Sequence, residues 1–151
     1  MVSTLERGEF DLVEETFDQV EQLDEAVVVV EQTLPEQARK IQSVMRAMLE
    51  HVPPLGVVDA SKLLEVDRKT VGSWAEQGLL REVTHSSSRR RFDPLRLHQV
   101  RHVVRQLRSL GQSRNLLDAV WFRLEDQAVL DHEDLQESLR QMRDHDVVDA
   151  Y

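Results

Sequence analysis

Apolar positions fall into blocks spaced by three and four, separated by short polar or proline–glycine breaks. In the first block Leu12, Val13, Phe17, Val20, Leu23, Ala26 and Val27 lie in an acidic background. That spacing predicts an amphipathic helix from residue 9 to Glu25. The four valines Val27 to Val30 satisfy either a continuing helix or a short strand, since β-branching favours extended backbone. Thr33 and Pro35 then mark a new start, Thr33 as cap and Pro35 in the first turn. Ala38, Ile41, Val44, Met45, Met48, Leu49 and Val52 follow helical spacing until Pro53-Pro54-Leu55-Gly56 breaks it.

The middle of the chain is denser in signals. Val57 to Leu64 reads as a short helix, with Asp59 or Ser61 at its start, and Glu65-Val66 as a turn. Asp67 caps a second helix, Arg68 to Gln77, and Gly78 ends it in the left-handed conformation that glycine tolerates. Val71, Trp74 and Ala75 share the inner face of this second helix. Arg68, Lys69, Thr70, Gly72 and Ser73 lie on its N-terminal, outward side. Gly72 weakens a helix, and two reasons could place it there: close backbone approach to a ligand, or tight packing against a neighbour. Arg81 to Thr84 reads as a strand, His85 to Ser88 as its turn, and Arg89-Arg90-Arg91-Phe92 as the return. Asp93-Pro94 opens a further helix through Leu95, Leu97, Val100, Val103, Val104, Leu107 and Leu110 to Gly111, with Arg96, Arg101, Arg105 and Arg108 on its other face.

Charge sharpens this picture. The chain has 151 residues and a net charge of −9. Residues 1–50 carry 4 basic and 12 acidic side chains, residues 51–114 carry 12 and 6, and residues 115–151 carry 3 and 10. A basic centre between acidic arms points to polyanion binding in the centre and to another role for the arms. Two short helices joined by a tight turn can place the second in the DNA major groove, where its first residues reach base edges. Arginines on a hairpin would hold phosphates.

The run Val58-Asp59-Ala60-Ser61-Lys62-Leu63-Leu64-Glu65-Val66-Asp67-Arg68-Lys69-Thr70-Val71-Gly72-Ser73-Trp74-Ala75-Glu76-Gln77-Gly78-Leu79-Leu80 resembles the first half of a MerR/excisionase-type winged helix. Arg90-Arg91-Phe92 is similar to the segment that closes that family's wing. Arg105 to Gly111 resembles the family's following helix. The likeness covers Val57 to Gly111, little more than a third of the chain. It departs in the wing, where Ser86-Ser87-Ser88 replaces the usual glycines and Arg89 stands where a histidine often sits. The resemblance implies a mainly α fold: a winged helix-turn-helix core with a small β-hairpin wing and flanking helices. The division expected is an acidic helical arm over residues 1–54, the winged domain over 55–111, and a second acidic arm over 112–151.

The function expected is that of a sequence-specific, double-stranded DNA-binding transcriptional regulator, a promoter-bound repressor. Arg68, Lys69, Thr70 and Ser73 would read or flank base edges, and Arg89, Arg90 and Arg91 would grip phosphates. Half-sites imply a homodimer. Two alternatives remain open: an antitoxin whose acidic arms hold a basic toxin, and an excisionase-like architectural factor. In the second arm, Asn115 to Glu125 predicts a helix with Leu116, Leu117, Val120, Trp121 and Leu124 inside. Completion of the core or formation of a homodimer is the leading reading for these residues, ahead of toxin binding. Asp131 would cap a last helix bearing Leu135, Leu139 and Met142, and the acidic tail 144–151 is expected to be mobile.

No enzyme, cofactor or metal is expected. There is no cysteine, which removes thiolate metal sites and the family's thiolate sensing chemistry. His98 and His102 have the i, i+4 spacing of metal ligands, but no third ligand is evident in the sequence, so both are expected as exposed positions on a basic helix. His51, His85, His132 and His145 are scattered. The longest apolar run is Ala26 to Val30, too short for a bilayer. The acidic opening is unlike a signal peptide. A cytoplasmic location away from membranes is expected.

Overall fold

The computed structural model describes residues 7–83, 89–127 and 140. Five helices follow in order: α1 (Arg7–Glu31), α2 (Pro35–Glu50), α3 (Val57–Leu64), α4 (Arg68–Glu76) and α5 (Pro94–Ser109). A sixth, α6, covers residues 116–127. Helix α1 buries Phe10, Val13, Phe17, Val20 and Val27. The valine run is helical. Val27 is 2% exposed and Val30 packs against the core, whereas Val28 and Val29 point outward. Burial of one helical face thus outweighs the strand preference of four β-branched side chains. The helix ends where Val30 accepts from the backbone N–H groups of Thr33 and Leu34. Leu34, not Thr33, occupies the cap position of α2, without a side-chain hydrogen bond, and Pro35 sits in the first turn. Gly56 is the cap of α3, so Asp59 lies buried in the first turn of that helix and neither Asp59 nor Ser61 caps it.

One continuous apolar cluster runs from Phe10 and Phe17 through Leu49, Leu63, Val71 and Phe92 to Val104 and Val120. Leu116, Leu117, Trp121 and Leu124 of α6 pack against it. The Arg96 guanidinium lies over the Trp121 ring, 5.8 Å from its centroid. Asp93 caps α5 by accepting from the Arg96 N–H at 3.2 Å.

The expected β-hairpin wing is not formed. Among the described residues the fold is helical and contains no strand, only two isolated bridges, Leu55 to Phe92 and Glu82 to Phe92. The physical reason is the short reach of the pairing. Phe92 exchanges both backbone hydrogen bonds with Leu55, at 2.8 and 3.1 Å, and on its other side Val83 donates to Arg91 and Asp93 to Arg81. Three chain segments therefore meet across one residue. Leu79 and Leu80 are buried on one side, and Pro94 starts α5 on the other, so the ladder cannot lengthen there. Thr84 and the expected turn, His85 to Ser88, lie outside the described residues, as do Asp131, Leu135, Leu139, Met142 and the acidic tail 144–151.

Candidate nucleic-acid interface

Helices α3 and α4 are joined by Glu65, Val66 and Asp67. Glu65 has a positive φ of 55°, a left-handed conformation that a non-glycine residue holds only when neighbours fix it. They do: the Ser61 hydroxyl donates to the Val66 carbonyl at 2.7 Å, and Arg108 reaches from α5 to the carbonyls of Leu64 and Glu65 at 3.0 and 2.8 Å. Asp67 accepts from the Thr70 N–H at 2.7 Å. That hydrogen bond to Thr70 holds the exposed Asp67 carboxyl below its ordinary range, with the Lys69 charge adding to it. Gly78 closes the segment at φ 83°.

The rigid turn fixes what α4 shows to solvent. Val71, Trp74 and Ala75 are buried, while Arg68, Lys69, Ser73 and Glu76 are exposed and Thr70 and Gly72 are half-buried. Neither Arg68 nor Lys69 has an ion-pair partner within 4.0 Å among the described residues. A Cβ on Gly72 would meet nothing nearer than an Arg90 nitrogen at 4.0 Å, so the protein's own packing does not require glycine there.

Arg90 lies across this face. It donates to the Gly72 carbonyl at 3.4 Å and pairs with Glu82 at 3.2 Å and Glu76 at 3.7 Å. It is therefore a strut between α4 and residues 81–83, with its charge already faced by two carboxylates. Arg89 is exposed and Arg91 half-buried; both have partners within the fold. Of the seven residues expected to touch a nucleic acid, Arg68, Lys69, Thr70, Ser73 and Arg90 come together on or across α4.

The expected basic, exposed face of α5 is not present as such. Arg96 donates to the Leu79 carbonyl at 2.8 Å, and burial lowers its pKa. Arg101 is 2% exposed, donating to the Leu63 carbonyl at 3.1 Å and to Asp18 of α1 at 2.8 Å. Arg105 pairs with the same Asp18 at 3.8 Å. Nor are the histidines exposed. His98 is 4% exposed and donates through Nε2 to Asp24 at 3.1 Å, and the half-buried His102 bonds Glu21 through Nδ1. The hydrogen bond to Glu21 raises the His102 pKa against the opposing effect of burial. Burial pushes the Asp24 carboxyl up, but the His98 hydrogen bond and the two imidazole charges outweigh it and hold the carboxyl below its usual range.

The partners Asp18, Glu21 and Asp24 were not singled out by sequence. Their signal was present: spacings of three along α1 put all three on one face, matching His98, Arg101, His102 and Arg105 on α5. No family model, characterised protein or solved structure compared with the chain matches it. No described helix is long and apolar enough to cross a membrane.

Proposed function

We propose that α3 and α4 form a helix-turn-helix that carries α4 into the major groove of duplex DNA, and that the protein is a sequence-specific transcriptional regulator acting as a promoter-bound repressor. The observation that carries this reading is the outward face of α4. It presents Arg68, Lys69 and Ser73 in solvent beside a half-buried Gly72 that has room for a Cβ, on a helix whose inner face and preceding turn are locked. A rigid short helix with unpaired cations at its start suits base-edge contact flanked by phosphate contact. The likeness of Val58 to Leu80 to MerR/excisionase-type sequences supports the same reading.

In this reading Lys69 and Ser73 face bases, Arg68 and Thr70 flank them, and Arg89, Arg90 and Arg91 lie toward the backbone. Two copies would bind symmetric half-sites. Selection of bound sequences from a random duplex pool tests the proposal. A recurrent motif, bound with affinity that falls steeply as salt rises, is the expected result; an unenriched pool would overturn it.

A further inference from the structure

Four titratable side chains meet where α1 crosses α5. Glu21 and Asp24 stand one turn apart on α1, and His98 and His102 one turn apart on α5. The ligand atoms of Glu21, Asp24 and His102 all lie within 4.8 Å of one another. Asp24 Oδ2 is 3.8 Å from His102 Nδ1 and 3.1 Å from His98 Nε2. Two buried atoms in the cluster have no hydrogen-bond partner, Glu21 Oε2 and His98 Nδ1, and they face each other at 3.9 Å. The His98 side chain is only 5% exposed. A buried nitrogen and a buried carboxylate oxygen thus face each other beyond hydrogen-bond distance, which leaves a place for an ion or water between them.

We propose that Glu21, Asp24 and His102 bind a divalent transition cation of the zinc class, with His98 positioning Asp24. Bonds of about 2.0–2.2 Å around a tetrahedral ion set ligand atoms roughly 3.3 Å apart, so separations of at most 4.8 Å need to change by no more than about 1.5 Å. Imidazole beside carboxylates suits zinc and its neighbours better than calcium or magnesium. Two carboxylates balance the dication. A water on the fourth position would give Glu21 Oε2 and His98 Nδ1 the hydrogen-bond partner that neither has. Hydrogen-bonded support of a ligating carboxylate by His98 is the usual outer layer of such a site. The cation would staple α1 to α5, one turn from the Asp18–Arg101 pair. The site stands apart from α4 and does not depend on the DNA reading.

The test is titration of the full chain, stripped with chelator, with zinc chloride and separately with cobalt(II). One saturable equivalent per chain is expected, with a thermal midpoint raised by about 5–10 °C at a hundredfold excess over Kd and restored by chelator. His102→Gln and Asp24→Asn should each weaken binding more than a hundredfold. His98→Gln should weaken it about 10- to 100-fold, and His51→Gln should leave it unchanged. Because a variant can fail to fold, the wild-type chain supplies a second readout. Zinc should shift the imidazole resonances of His98 and His102 and leave those of His51 in place. Absence of saturable binding, or one equivalent bound without moving the His98 and His102 resonances, would overturn the proposal.

Discussion

Gly72 separates stability from function at a single atom. Glycine within a helix costs roughly 0.5–1 kcal/mol relative to alanine, and a methyl group there has room. Gly72→Ala should therefore stabilise the fold by about that amount in denaturant unfolding. If α4 approaches DNA closely, the same change should weaken duplex binding at least several-fold. Stabilisation with unchanged binding would remove Gly72 from the interface. Asp67 carries a second prediction. Its folded pKa is lowered, so the cap contributes stability above the unfolded carboxylate value near 3.8 and loses it as pH falls through the lower folded value. Asp67→Asn retains a capping side chain without titrating. The difference in stability between the two proteins should shrink below pH 3.8, and a pH-independent difference in acid unfolding would contradict the cap's role. At this scale the sequence was legible wherever chemistry is local. The Asp67 and Asp93 caps and the left-handed Gly78 follow from residue type alone. Leu34 in place of Thr33 follows from Pro35 at the first helical position, and Gly56 in place of Asp59 from glycine's own fitness as a cap, two rules that outrank the side-chain caps nearby.

Helix by helix, the balance between local preference and packing decides the rest. The α3–turn–α4 unit was legible because its turn residues, its cap and its inner apolar face all agree. The wing was not, because a strand needs partners of matching length, and Phe92 makes only single bridges, to Leu55 on one side and Glu82 on the other. Arg90 illustrates how pairing changes a residue's task. If it reaches a phosphate, Arg90→Ala should weaken binding to all sequences and flatten the salt slope by about one unit. Because Glu76 and Glu82 already hold it, an unchanged slope with a loosened α4 would assign Arg90 to the scaffold instead. Lys69→Ala should relax base preference more than it lowers affinity for random duplex. Equal losses on both would place Lys69 at the backbone.

For the whole molecule, charge distribution was the clearest sequence signal and the most incomplete. The acidic first arm and basic centre suggested separate tasks, yet Asp18, Glu21 and Asp24 neutralise the face of α5 that looked free. Pairing across some eighty residues of sequence leaves no local mark, which is why Arg101 and the two histidines were misplaced. The Asp18–Arg101 contact predicts an asymmetry. Asp18→Ala leaves a 2%-exposed guanidinium with only the Leu63 carbonyl; because Asp18 itself is half-exposed, the cost should be about 1–3 kcal/mol, whereas Arg101→Met removes the charge, keeps most of the volume and should cost less. A larger loss for Arg101→Met in urea unfolding would show that the Leu63 carbonyl, not the ion pair, sets the energy. With α5 engaged inward, the proposed duplex contact falls to α4. The most direct measurement is the salt dependence of binding to a selected duplex and to a random one, for the wild-type chain and for the Arg68→Ala, Lys69→Ala double variant. Tight, selective wild-type binding is expected, with a slope that falls by about two units in the double variant and selectivity that collapses. An unchanged slope and selectivity would mean that α4 does not touch DNA.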